Sequence, residues 1–192
     1  MERLIVARHG ESSYSARGLL NGDPSVRCPL TAAGRGQAQR LGELVRAVQL
    51  DLCVTSAFER TQETAELALA GRPVPRLVVP ELNDHPAGEF EGKAIDDYLA
   101  WAHAAPSGRP IPGAVESRVD ALRLFARGYR LLLERPERTI LAVLHSLPIS
   151  YLVSGPLRRL PLLEYAEPVG VDAADVLAAV ERLEAWAGAP TW

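Results

Sequence analysis

Lysine is almost missing from this chain of 192 residues. Of its 21 basic side chains only Lys93 is a lysine; the rest are arginine. With abundant Ala and Leu, this is the bias of a GC-rich coding sequence and carries no function by itself. The one lysine sits in Gly88-Glu89-Phe90-Glu91-Gly92-Lys93-Ala94, one residue short of a phosphate-binding P-loop and without its hydroxyl. Cysteine is scarce as well. Cys28 and Cys53 lie far apart with no metal-ligand spacing, which excludes a disulfide scaffold and reads as two reduced, structural residues. Neither has an Arg after five intervening residues, as cysteine phosphatases require, since six residues separate Cys28 from Arg35 and Cys53 from Arg60. The four histidines, His9, His85, His103 and His145, show no H-x-x-x-H or H-E-x-x-H pattern, so no metal site is expected. Apolar runs long enough for a membrane span are missing. So are the basic, apolar and cleavage segments of an export signal, and the chain is read as cytoplasmic. There is no excess of positive charge. A net charge of −3 excludes a nucleic-acid binder with a broad basic face. It leaves room for an anionic small ligand held by a few focused arginines.

What is present is an alternation of short apolar runs and amphipathic segments in one domain, 1–192, with no repeat or linker. Leu4 to Ala7 is a buried strand that stops on Arg8-His9-Gly10-Glu11. A long polar loop, 12–29, follows, and long loops are often functional. Thr31 caps a helix running to about Val48, with Ala38, Leu41, Leu44, Val45 and Val48 on one face. Leu52-Cys53-Val54 is a second strand, ending at Thr55-Ser56. A helix from about Phe58 to Ala70 stops at Gly71 and Pro73. A third strand lies within 74–79, and Asp84-His85 come after it. A helix over 94–104 precedes a Pro/Gly loop. Val115, Val119, Leu122, Ala126, Tyr129 and Leu133 define a long amphipathic helix. Thr139 to Leu144 is a fourth strand, ending at His145-Ser146. A short helix follows near 148–154, and a final helix over 173–186.

Strands alternating with helices predict an α/β fold: a mainly parallel central sheet with helices on both faces. Parallel strands bring Arg8-His9, Thr55-Ser56 with Arg60, Asp84-His85 and His145 to one sheet edge, where open α/β sheets bind ligands. Two arginines, two histidines and a carboxylate suit phosphoryl transfer to a histidine. A neutral imidazole is a nucleophile at physiological pH, neighbouring guanidiniums keep it neutral, and their forks match phosphate oxygens. A carboxylic acid can protonate the leaving oxygen and then, as carboxylate, take a proton from water.

Arg8-His9-Gly10-Glu11, then Pro29-Leu30-Thr31 with Gly34 and Gln37-Ala38, resembles the histidine phosphatase superfamily, the phosphoglycerate mutase-like proteins. The stretch from Thr55 to Ala65 is similar to its second block. Leu82-Asn83-Asp84 through Gly92, then Glu116-Ser117, then His145 follow in the family's order. The resemblance implies a three-layer αβα sandwich and assigns roles. His9 would be the phosphorylated nucleophile. Arg8, Arg60 and His145 would bind the phosphate, His145 by donating to one of its oxygens. Asp84 stands where the family usually has a Glu as general acid and base, and Glu89 or Glu91 are the alternatives. Ser15 stands where many members have a phosphate-binding Asn, and Glu11 is read either as a support of the substrate site or as a partner of the following helix. Ser146 replaces a usual Gly. Glu116 is read as structural, His85 and His103 as turn and surface residues, and Arg17, Arg27 and Lys93 as solvated. No cofactor and no metal are implied.

The expected partner is a small phosphorylated substrate, with no nucleic acid and no membrane; oligomeric state is left open. The expected activity is phosphomonoester hydrolysis. Phosphoglycerate mutase-type transfer is one alternative. The short segment from Lys93 to Pro112 disfavours it, because it leaves the site open to water. A phosphate-binding or regulatory module without catalysis is the other.

Overall fold

The first strand, β1 (Arg3–Arg8), is apolar on both faces because both are covered. Leu4 and Val6 join one cluster, Ile5 and Ala7 the other. The computed structural model describes residues 1–157, 159, 161 and 163–192. Its order is β1, α1 (Ala32–Leu44), β2 (Leu52–Thr55), α2 (Glu59–Ala68), β3 (Arg76–Val78), α3 (Ile95–Ala104), α4 (Arg118–Leu133), β4 (Thr139–Leu144), α5 (Ser146–Ser154), β5 (Pro168–Asp172) and α6 (Ala173–Gly188). The strands form one five-stranded sheet in the order β3-β2-β4-β1-β5. The first four run parallel, and β5 closes the β1 edge antiparallel.

One face of the sheet buries Leu122, Phe125 and Tyr129 of α4 with Val176, Val180 and Leu183 of α6. The other buries Leu41 of α1 and Ala65 and Ala68 of α2. This is the three-layer sandwich. A third, smaller cluster of Leu20, Ala87, Tyr98 and Ala102 holds α3 and the loops beside it. No helix among the described residues is long and apolar enough to cross a membrane.

Several boundaries shift for local reasons. α1 ends at Leu44 rather than Val48, because the chain leaves helical geometry at Val45. α4 begins three residues after Val115, which is 89% exposed. Ser117 caps the Asp120 N–H, and the Asp120 carboxylate accepts from the Ser117 N–H in return. That reciprocal box sets the start, whatever the apolar spacing upstream. β5 was not anticipated. Its half-exposed, Gly-containing Pro168-Val169-Gly170-Val171-Asp172 has no apolar run to announce it.

Candidate active site

The sheet register assembles the site. Arg8 pairs with Leu144, and Val143 with Thr55. His9, His145 and Ser56 are therefore the first residues beyond three adjacent strands. The His9 N–H donates to the Leu144 carbonyl at 2.9 Å, which carries the β1–β4 pairing up to the histidine. α2 and α5 start at this edge, so the positive ends of their dipoles favour an anion there.

Two glycines keep β1's exit against α1. A Cβ on Gly10 would lie 2.4 Å from the Gly34 carbonyl oxygen, and one on Gly34 would lie 2.0 Å from that of Glu11. Side-chain bonds complete the joint. The Thr31 hydroxyl donates to the Glu11 carboxylate at 2.7 Å, the Glu11 N–H to Gln37 at 2.8 Å, and the Gly10 N–H to the Thr64 hydroxyl at 3.0 Å. Glu11 thus turns toward the start of α1.

His9 is buried at 5% exposure. Its Nδ1 lies 2.7 Å from the Gly10 carbonyl. A carbonyl only accepts, so Nδ1 carries the proton and Nε2 keeps its lone pair. Arg60 Nε donates to that Nε2 at 3.1 Å. The rest of the Arg60 guanidinium is spread over the site. Nη1 donates to Asn21 Oδ1 at 2.5 Å, and Nη2 to the Asn21 carbonyl at 3.2 Å and to His145 Nδ1 at 3.1 Å. The group lies 4.2 Å over the Phe58 ring. His145 Nδ1 is therefore an acceptor, and its Nε2–H donates to the Ser56 hydroxyl at 2.8 Å. Burial first, and the Arg60 charge second, hold both imidazoles well below the ordinary value of 6.5, so both are neutral at pH 7. Arg8 stacks 3.8 Å over Tyr165 and donates from Nη1 to the Leu163 carbonyl at 2.7 Å.

Asp84 Oδ2 stands 3.5 Å from Arg60 Nη2 and 3.7 Å from His145 Nδ1. Two guanidiniums thus face one carboxylate, a surplus of positive charge around His9. Arg8, His9, Ser12, Ser15, Asn21, Arg60 and Asp84 line a small cavity of about 80 Å³. The alternative carboxylates lie elsewhere. Both oxygens of Glu91 are engaged, by Asn21 Nδ2 at 2.8 Å and the Gly22 N–H at 2.7 Å. Glu89 is exposed, its side chain beside Gly113. Ser15 lines the cavity in mutual hydrogen bonds with Ser12.

Sequence reasoning missed Asn21, Ser12 and Tyr165. Asn21 sits in the loop flagged as long and polar, which was the available signal. Tyr165 had none, being 157 positions from Arg8. Among the described residues no group of His, Cys, Asp and Glu is placed to hold a metal ion.

A family model, the histidine phosphatase superfamily (branch 1), matches residues 4–178. The chain belongs to this superfamily. It is 36% identical over 137 residues to the adenosylcobalamin/alpha-ribazole phosphatase of Escherichia coli, covering 65% of this chain and 66% of that one. The chain spans about half to two thirds of the length of these curated relatives. Among solved structures, the alpha-ribazole phosphatase of Shigella flexneri superposes with a TM-score of 0.69 at 34% identity, over 79% of this chain and 78% of that one. Bacillus stearothermophilus YhfR reaches 0.74 at 28% identity, over 88% and 89%. Both confirm the phosphoglycerate mutase-like fold.

Proposed function

We propose that this histidine phosphatase superfamily member hydrolyses phosphomonoesters through a phosphohistidine on His9. The observation that carries the reading is the locked tautomer: Nδ1–H on the Gly10 carbonyl, with the Nε2 lone pair at the cavity beside Arg60. In the first step Arg60 Nε exchanges its bond to Nε2 for a phosphate oxygen, and the freed Nε2 lone pair attacks phosphorus as the ester P–O bond breaks. Arg8 and Arg60 neutralise the transferring group. Asp84, as the acid, gives its proton to the leaving oxygen. In the second step the Asp84 carboxylate takes a proton from water, which attacks phosphorus and breaks the P–N bond. Inorganic phosphate leaves and His9 is restored. His145 takes up a proton when the anion arrives and donates to a phosphate oxygen. The Ser12 and Ser15 hydroxyls complete the donors around the cavity, and Asn21, its amide nitrogen spent on Glu91 and Asp23, holds Arg60 in place.

Turnover of an aryl phosphate in excess EDTA by the wild type, abolished in His9→Ala, is the expected result. A ribazole phosphate is the first natural-type ester for the panel, because relatives carry that name. Phosphoryl transfer to a second glycerate phosphate in place of water would move the reading to a mutase. Stoichiometric phosphate binding without turnover on any ester would reduce it to a binding module.

A further inference from the structure

Behind Asp84, on the side away from Arg60, lies a buried pair that the proposed steps do not use. His85 is 5% exposed and Tyr98 7%. Their rings meet edge to face at 4.8 Å, and His85 Nε2 hydrogen-bonds the Tyr98 hydroxyl. His85 Nδ1 is buried with no hydrogen-bond partner among the described residues and stands 3.7 Å from Asp84 Oδ1. The backbone N–H of His85 already donates to that same oxygen at 3.2 Å. The two carboxylate oxygens thus have separate surroundings: Oδ1 faces His85, and Oδ2 faces Arg60 and His145.

We propose that His85, held by Tyr98, is a positioning residue for Asp84, its Nδ1–H closing on Oδ1 so that Oδ2 is the oxygen that exchanges the proton with the leaving group. The proposal rests on Asp84 being the general acid. Chemistry supports it in three ways. Burial keeps the His85 imidazole uncharged, so it has one N–H to place. A carboxylate only accepts, so the tautomer that suits this place carries its N–H on Nδ1, and Nε2 then accepts from the Tyr98 hydroxyl. A buried donor left unpaired costs about 1–3 kcal/mol, and a shift of under 1 Å toward Oδ1 removes that cost; catalytic hydrogen bonds often tighten in this way when substrate binds. The need is local to this chain. Aspartate is one methylene shorter than the glutamate usual at this position, so its carboxyl has less freedom to find the leaving oxygen and gains more from being aimed.

The test compares two esters by kcat/KM, which covers binding and phosphorylation and leaves out dephosphorylation. An alkyl phosphate needs its leaving oxygen protonated; an aryl phosphate with a strongly acidic phenol does not. His85→Phe is expected to lose roughly 10- to 100-fold on the alkyl ester, as removal of a supporting hydrogen bond typically does, with less than a threefold change on the aryl ester. His85→Asn, whose amide nitrogen takes the place of Nδ1, should restore most of the alkyl rate. Tyr98→Phe should fall between. Equal losses on both esters in His85→Phe, or no rescue by His85→Asn while it folds normally, would overturn the proposal. Asp84→Asn runs alongside. If it loses the alkyl ester selectively and His85→Phe does not, only the positioning role fails; if Asp84→Asn shows no selectivity, the acid assignment fails and the proposal with it.

Discussion

Gly34→Ala should harm this protein although it replaces a glycine inside a helix. In an exposed helical position Ala is favoured over Gly by about 0.5–1 kcal/mol. Gly34 is buried in α1, and its new Cβ would sit 2.0 Å from the Glu11 carbonyl oxygen, where contacts under 3.0 Å are essentially never seen. α1 and the chain after β1 must then part by about 1 Å. Overpacking of this kind costs about 1–3 kcal/mol, so the net loss expected is about 1–2 kcal/mol, or roughly 2–8 °C in Tm for a domain of this size. The displaced segment carries Glu11 and Gly10, whose carbonyl sets the His9 tautomer. Misplacing a reacting group by 1 Å costs on the order of 10²-fold in rate. Gly36 is the internal control: same helix, exposed, with nothing within 4 Å of its would-be Cβ. Gly36→Ala should gain stability and keep full kcat/KM. Urea melts and aryl phosphate kinetics on both variants decide. A Gly34→Ala protein as stable as Gly36→Ala, with wild-type kcat/KM, would refute the argument that this close approach aims His9.

Two further outcomes follow from the same geometry. Burial, before any other cause, lowers the pKa of His9, His85 and His145 in the folded chain. The unfolded chain therefore binds more protons below about pH 6.5, and stability must fall as pH falls, by up to about 1.4 kcal/mol per pH unit for each histidine. Urea unfolding at pH 7.5, 6.5 and 5.5 measures this, and a flat profile would contradict it; His145→Gln should reduce the slope. Asn21→Ala removes the acceptor of Arg60 Nη1. A hydrogen bond to a charged group is worth about 1.5–3 kcal/mol, so kcat/KM on an aryl phosphate should drop roughly 10- to 100-fold, and a change under threefold would count against that bond.

The framework of this fold was legible because its signals are local. Three of the parallel strands, β1, β2 and β4, are short apolar runs that stop on a polar residue, and parallel direction brings Arg8, His9, Ser56, Arg60 and His145 to one edge; Asp84 reaches it six residues beyond the short, exposed β3. Thr31 was readable as an N-cap because the device lies within three residues of sequence. β5 was not legible, since an antiparallel edge strand half open to solvent needs no apolar run. The start of α4 lies later than the apolar spacing suggests, because that spacing reaches back to Val115 while the Ser117–Asp120 box starts the helix after Ser117. Asn21 and Tyr165 reach Arg60 and Arg8 through long-range loop packing, which residue type and spacing do not encode. The same holds for His85. Its sequence reads as a turn, and only burial against Tyr98 reveals an imidazole aimed at Asp84.

The central claim is a covalent intermediate on one nitrogen. The most direct measurement is rapid quenching of wild-type protein with a phosphate ester labelled on phosphorus, followed by peptide mapping under alkaline conditions. The account predicts one label, acid-labile and base-stable, on the peptide carrying His9, formed and lost at rates that match turnover. Turnover with no trapped phosphoryl group, or with the label on any other residue, would contradict it.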